Sequence, residues 1–259
     1  MNAKHLLLAA AALATASATA DITVQSVSEK DGSPWSATFV AGGKVRTENF
    51  KGDAAFVLWQ VGATAMTTVV PARKTYMVMD AAQIQAQLKQ AADQMKQVEQ
   101  QLAGLPPQMR EMMKKQMPGM GAGKPLIEMK LTKTGKTMSK AGFTCQVVDL
   151  AITGLPMAGP MGQEFCVVDP AKLDIPASDL ATLKAMAEFA KQMTKDIGQV
   201  VGGMPDVFEM GGWPVWTRDK RTGDAWVFKA VDKGAVSADK FQVPAGYKQE
   251  KMPGMPGGR

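Results

Sequence analysis

Few residues in this chain have side chains that commonly support catalysis. Its one histidine, His5, lies in a stretch with the layout of a secretory signal peptide: a basic start, an apolar run over 6–13, and small residues at Ala18 and Ala20. Cleavage after Ala20 would leave a chain without histidine. That excludes Ser-His-Asp and Cys-His hydrolases and His-ligated zinc or haem. We therefore expect residues 1–20 to be a signal peptide and the exported protein to be no enzyme and to need no cofactor.

Two cysteines, Cys145 and Cys166, are the next candidates for chemistry. An even pair in an exported protein usually forms a disulfide, whereas redox pairs are more often spaced as Cys-x-x-Cys. Both lie in strand-like sequence, and the Gly- and Pro-rich stretch 154–162 between them is typical of a loop. An antiparallel pair folded about Leu155 and Pro156 would place the cysteines opposite each other. We predict a structural disulfide that stabilises the fold by about 3 kcal/mol.

Methionine is unusually frequent, with 20 residues against two tyrosines. The sequence Met-Pro-Gly-Met occurs twice, at 117–120 and 252–255, and further methionines precede the first copy. Thioethers favour Cu(I), so Met112, Met117 and Met120 form an alternative candidate soft-metal site. Methionine also repacks without a fixed geometry, which suits a movable apolar lid over a ligand.

The elements that would position these residues begin with an antiparallel meander, because short β-branched and aromatic runs alternate with turn sequences. The predicted strands span 22–28, 35–40, 44–50, 54–60, 65–70 and 75–79. Strands resume at 126–134, turn at Gly135 and Lys136, continue through the cysteines and end in a hairpin over 214–231. We expect one α+β domain over 21–248, in which two or three helices cover a curved antiparallel half-barrel, followed by a disordered tail over 249–259.

Apolar residues at steps of three and four predict the covering helices. The first follows Asp80 as N-cap, with Gln83 as capping-box partner. A short second helix ends near 117, and a third runs from about 178 to 201. These lid insertions, about 81–117 and 178–201, would close over the sheet. The candidate lid and cavity residues are Ile84, Leu88, Met95, Met109, Met113, Met186, Phe189 and Met193.

Four stretches in order resemble a "domain of unknown function" family of exported bacterial proteins. They are 43–48, 75–77 before a Gln-rich helix, 133–136 leading to 141–145, and 241–247. The resemblance covers most of 22–247. It implies the LolA-like fold of lipoprotein localisation factors, a half-open antiparallel barrel with helices on its concave side. It also implies a Gram-negative periplasm, and it supplies no catalytic residues.

The lipoprotein carriers keep an arginine in their cavity-lining strands, and Arg46 is the nearest match here. Thr47 follows it where the carriers have a proline-rich context. The resemblance thus implies a cation at the cavity mouth at Arg46. A surface cation on a strand is the alternative interpretation of this residue.

Together these observations predict a soluble periplasmic protein that binds or carries an apolar ligand such as an acyl chain, a lipid or a lipoprotein. A Met-rich Cu(I)-binding protein and an envelope interaction protein are the alternatives. The basic residues Arg110, Lys114, Lys115 and Lys124 would suit an anionic membrane surface, although a solvated helix face explains them equally. A net charge of +6 on an exported chain is too modest to favour nucleic acid, and we expect a monomer.

Overall fold

The computed structural model describes residues 21–52, 54–104, 106, 128–153, 161–195 and 207–250. Within these residues, twelve strands form one sheet and two α-helices accompany it. The strands are β1 (Ile22–Ser28), β2 (Pro34–Ala41), β3 (Lys44–Asn49), β4 (Phe56–Gln60), β5 (Ala65–Val70), β6 (Thr75–Asp80), β7 (Glu128–Lys140), β8 (Phe143–Thr153), β9 (Met161–Val168), β10 (Trp213–Asp219), β11 (Ala225–Lys233) and β12 (Lys248–Gln249). The helices are α1 (Ala81–Ala103) and α2 (Ala177–Lys195).

The sheet consists of two antiparallel meanders, β1 to β6 and β7 to β11. They join where β1 pairs with β11, with Ile22 opposite Lys233. The sheet is open, because β7 forms one edge and the two-residue β12 pairs in parallel with β6 at the other. This arrangement confirms the predicted α+β class with a large antiparallel sheet. None of the helices in the described part of the chain is long and apolar enough to cross a membrane.

The local predictions for the first meander are confirmed, and each of its six strands ends within two residues of its predicted bounds. The predicted start of α1 is also confirmed, since Asp80 Oδ1 accepts hydrogen bonds from the backbone N–H groups of Ala82 (2.9 Å) and Gln83 (3.2 Å). The second predicted helix, the end of the third and most of the predicted tail lie outside the described residues.

The turn predicted at Gly135 and Lys136 is wrong. β7 continues through this point, and its register with β8 shifts between Lys133 and Thr137. Gly135 has a φ of 73°, which lets the strand take up extra residues in a bulge. The chain reverses only at 141–142, after the strand has run for 13 residues.

The predicted pairing of Cys145 with Cys166 is confirmed, and both side chains are buried. Their predicted position directly opposite each other is wrong, because Cys166 faces Val147 in the β8–β9 register. Cys145 and Val147 share a face, so the disulfide crosses the strand pair diagonally. The Cα atoms lie 5.4 Å apart, within the usual range for a disulfide.

The sheet has an apolar core on each face. We call the face with the disulfide the inner face; its core includes Ile22, Val45 and Trp59 together with Leu183 of α2. The opposite face, here the outer face, carries two smaller clusters. Val148, Leu150, Phe165 and Val167 pack against Met210, and Phe56, Leu58 and Val69 pack against Val243 and Tyr247 of the C-terminal segment 238–250.

Candidate functional site

Helix α2 covers part of the inner face with the apolar stripe that its sequence predicts. It lies against β2 and β3 and also contacts α1. Leu183 and Met193 are buried, while Met186 and Phe189 are only half-buried and pack against the inner core. The ring of Phe189 lies 5.9 Å from the ring of Trp59 on β4, at an interplanar angle of 37°. The structure therefore brings two predicted cavity residues, Met186 and Phe189, to one apolar surface.

Methionines from β5 and β6 extend this surface. Met66 is half-buried against the inner core, and it faces Met79 directly in the β5–β6 register. Directly opposed residues of an antiparallel pair point to the same side, so Met79 also lies on the inner face. We call Trp59, Met66, Met79, Met186 and Phe189 the inner cluster. Sequence periodicity missed Trp59, Met66 and Met79, because a strand residue's face becomes clear only from its partners.

Trp59 is the one polar member of the inner cluster. Its side chain is 6% exposed, yet its indole N–H has no hydrogen-bond acceptor among the described residues. Trp216, equally buried, donates its indole N–H to Glu29 Oε2 at 2.8 Å. Hydrogen bonds from Lys140 and Trp216 lower the pKa of Glu29. A buried donor without an acceptor costs about 1–3 kcal/mol, so Trp59 marks a place where an oxygen atom of a bound molecule would be stabilising.

The remaining predicted lid residues are less well defined. Ile84 is half-buried on the first turn of α1, and Leu88 and Met95 lie further along that helix. Met109 and Met113 lie outside the described residues, as do the alternative metal ligands Met112, Met117 and Met120. Among the residues that the structure describes, no group of three or more His, Cys, Asp or Glu side chains is arranged to hold a metal ion.

Arg46 lies on the outer face, away from α2. Its neighbour Val45 belongs to the inner core, and strand alternation turns Arg46 to the other side. Arg46 Nε donates to Glu48 Oε1 at 2.6 Å, and Nη1 donates to the carbonyl of Lys240 at 2.9 Å. The guanidinium lies 3.4 Å from the centre of the Phe56 ring. Arg46 thus attaches the C-terminal segment to β3 and does not face the surface that the helices cover.

The outer face contains an open cleft of about 270 Å³ between β3, β4 and β5 and the C-terminal segment. Residues from both parts line it, among them Lys44, Leu58, Gln60, Thr67, Phe241 and Val243. Val45 and Trp59, which belong to the inner core, also border the cleft. This cleft is not predicted by the sequence. The apolar character of 241–247 is visible in the sequence, but local sequence does not reveal to which face of the sheet the segment returns.

Two carboxylates with perturbed pKa values lie in turns. The hydroxyl and backbone N–H of Ser33 donate to Asp31 and lower its pKa to about 2. The backbone N–H groups of Thr222 and Arg221 lower the pKa of Asp219 in the same way. Both side chains satisfy backbone donors within their own loops, which is a structural role.

Comparison with known proteins leaves the family open. No protein-family model matches the chain, and no curated protein matches it. The crystal structure of an uncharacterized conserved protein from Thermus thermophilus is similar over 90% of this chain and 91% of that one, with 6% identity and a TM-score of 0.40. MucB, in its complex with MucA(peri), is similar over 88% of this chain, with 15% identity and a TM-score of 0.27. The match spans 56% of the MucB chain's length. Neither likeness carries a ligand or a partner over to this chain.

Proposed function

We propose that this chain is an exported periplasmic binding protein without catalytic activity. It carries an apolar ligand, such as the acyl chain of a lipid or lipoprotein, between the inner face of its LolA-like sheet and helices α1 and α2. The Cys145–Cys166 disulfide supports the oxidising compartment that the proposal requires.

The observation that carries the proposal is the incomplete burial of the inner cluster. Leu183 of α2 is buried, but Met186 and Phe189 on the same stripe are only half-buried, and so are Met66 and Met79 on the inner face of the sheet. An acyl chain inserted here would remove further apolar surface from water, at about 25 cal/mol per Å². The unbranched thioether side chains can repack around ligands of different length.

Trp59 supports an acyl ligand that has a polar end. Its unpartnered indole N–H lies next to Phe189 in an otherwise apolar surface. An ester or carboxylate oxygen would accept this hydrogen bond, and such a bond formed away from water is favourable. The ligand thus gains a fixed orientation from one polar contact and most of its affinity from apolar contacts.

Analysis of the protein as purified from the periplasm tests the proposal directly. We expect native mass spectrometry to show adducts with the masses of acyl lipids, and solvent extraction to recover them. A fluorescent fatty acid, 11-dansylundecanoic acid, should then bind saturably to the delipidated protein. An unmodified mass together with no saturable probe binding contradicts the proposal.

Matched substitutions locate the site. Phe189→Glu places a charge in the inner cluster, and we expect it to weaken probe binding at least about tenfold. Ala181→Glu introduces the same charge at an exposed position of the same helix and should leave binding within about twofold. Val243→Glu places the charge in the outer cleft. If Val243→Glu abolishes binding and Phe189→Glu does not, the ligand lies on the outer face and the proposed site is wrong.

A further inference from the structure

The two edges of the sheet differ in how they are covered. At one edge, β12 pairs with β6, and Glu250 N donates to the carbonyl of Tyr76 at 2.8 Å. At the other edge, β7 pairs with β8 on one side, and no strand among the described residues lies along its other side. Every second residue of an antiparallel strand directs its backbone N–H and C=O away from that partner. The outer edge of β7 is therefore a template on which a further strand can pair.

The first half of β7 is the longest regular part of this edge. Its register with β8 runs unbroken from Glu128 to Lys133. The bulge then interrupts the ladder, which resumes at Thr137. A bulge bends and twists the strand that carries it, so regular pairing does not continue across it. An added strand would therefore pair along 128–133.

The two sides of this stretch differ in polarity. Met129 and Leu131 are half-buried, and they pack against the outer-face cluster that contains Val148. Lys130 lies between them in the strand, so alternation turns its exposed side chain to the inner side of the sheet. A strand added here would meet apolar side chains on one side and a lysine on the other.

The edge is also positively charged. β7 contains four lysines and one acidic residue, which leaves a net charge of +3. Lys140 forms an ion pair with Glu29. Lys130, Lys133 and Lys136 are exposed, and none of them forms an ion pair with another described residue. A second copy of β7 would bring like charge to this edge, which lysines on edge strands discourage, whereas an acidic strand would neutralise it.

We propose that β7 is the docking edge for an acidic, extended segment of a partner protein, which pairs along 128–133 as an additional strand. The segment alternates acidic side chains, which face Lys130, with apolar side chains, which pack beside Met129 and Leu131. Its backbone hydrogen bonds supply affinity, and the alternation supplies specificity. This surface is separate from the inner cluster, so the inference goes beyond the proposed function and does not depend on an acyl ligand.

Fluorescence anisotropy with the whole exported protein tests the proposal. A short fluorescein-labelled peptide of alternating Glu and Val should bind saturably. A peptide of alternating Lys and Val should bind at least about tenfold more weakly, because its charges repel those of β7. A Glu–Val peptide that is N-methylated at every residue keeps its charge but cannot donate backbone hydrogen bonds. It too should bind at least about tenfold more weakly.

Matched charge reversals locate the site. Lys130→Glu should weaken binding of the Glu–Val peptide at least about tenfold and should strengthen binding of the Lys–Val peptide. Lys229→Glu makes the same charge change at an exposed position of β11, inside the sheet, and should leave both affinities within about twofold. Neither substitution should alter binding of the fatty-acid probe, so the outcome is independent of the acyl-ligand proposal.

Four results overturn the proposal. The Glu–Val peptide does not bind saturably; its N-methylated form binds equally well, which would mean attraction by charge alone; or the two lysine variants have equal effects, which would place the peptide elsewhere. The fourth is a dimer, detected by sedimentation velocity, that the Glu–Val peptide dissociates. In that case the edge pairs with a second copy of this chain.

Discussion

The C-terminal segment that covers the outer face is held by backbone hydrogen bonds along the sheet edge, where β12 pairs with β6, and by charged contacts. Lys248 N donates to the carbonyl of Lys74 at 3.0 Å, and Glu250 N donates to that of Tyr76 at 2.8 Å. Arg46 adds a hydrogen bond from β3 to the carbonyl of Lys240. On the inner face, Phe189 of α2 packs against Trp59 through apolar contact, and the ion pairs Lys191–Glu209 and, just before the helix, Asp174–Lys233 join side chains that are at least 40% exposed.

This difference separates a structural face from a face that can accommodate a ligand. Hydrogen bonds and ion pairs weaken steeply when their geometry changes, whereas apolar contacts are non-directional and tolerate a shift of the helix. The backbone hydrogen bonds of α2 lie within the helix, so a shift of the helix loosens only exposed ion pairs, which contribute little to stability. We therefore expect the inner face to adapt and the outer face to stay fixed.

The largest expected effect on the free energy of unfolding comes from truncating a phenylalanine, and it should differ between the two faces. Phe56→Ala on the outer face should lower the free energy of unfolding by about 4 kcal/mol, because the ring is 3% exposed and its loss leaves a cavity. Phe189→Ala on the inner face should cost only about 1–2 kcal/mol, since its ring is half-buried and its methionine neighbours can fill the space. Urea unfolding of the two variants measures both values.

The same two variants should separate stability from binding. Phe189→Ala is expected to weaken fatty-acid probe binding more than Phe56→Ala, although it destabilises the protein less. Equal destabilisation by the two substitutions would mean that α2 is packed as tightly as the C-terminal segment. The distinction between the two faces would then be lost.

The second-largest expected effect on stability comes from replacing one of two arginines that both contact the C-terminal segment. Arg46→Ala should lower the free energy of unfolding by about 3 kcal/mol. The Arg46 side chain is only 12% exposed, and its removal leaves the largely buried carboxylate of Glu48 without its closest partner. Arg73→Ala should cost less than about 1 kcal/mol, since Arg73 is 56% exposed and lies 3.7 Å from Glu250. Urea unfolding at low and high salt tests this pair. If both variants lose the same large amount of unfolding free energy, the exposure of the arginine does not determine how strongly it holds the C-terminal segment.

The sequence was sufficient to predict those elements whose signals are local. Short β-branched and aromatic runs between turn sequences located the first six strands, and Asp80 as N-cap located the start of α1. The disulfide could be predicted because the chain has only two cysteines and its N-terminal sequence predicts export. In each case the determining contacts lie within a strand, a turn or a single pair of residues.

The parts that could not be predicted depend on long-range partners. Nothing local specifies that β1 pairs with β11, or that the C-terminal segment returns to the outer face and places Lys240 over Arg46. The face on which Arg46 lies depends on which alternate residues of β3 meet α2, so the sequence alone left both sides open. Trp59 was missed for the same reason, because its missing acceptor becomes visible only once its neighbours are in place.

The smallest expected effect on stability is the difference between replacing one or the other of the two buried tryptophans of the inner core. Both Trp59→Phe and Trp216→Phe remove the same part of an indole ring, so the difference between them reports the hydrogen bond together with the contacts of Lys140 and Arg218 with the Trp216 ring. Trp59→Phe also removes an unpartnered donor, and its net cost should stay within about 1 kcal/mol. Trp216→Phe removes the bond to Glu29 and should cost about 1 kcal/mol more at pH 7.

The pH dependence of this difference tests its cause. Lys140 and Trp216 lower the pKa of Glu29, so the stability that this carboxylate contributes is present above its unfolded pKa, about 4.3, and is lost as the pH falls through its lower folded value. The gap between Trp216→Phe and Trp59→Phe, measured by urea unfolding, should therefore be largest near neutral pH and shrink below about pH 4. A gap that does not change with pH would assign the cost to packing of the ring. In that case the acceptor that Trp216 has and Trp59 lacks would not distinguish the two sites, and Trp59 would lose its significance as a contact for the ligand.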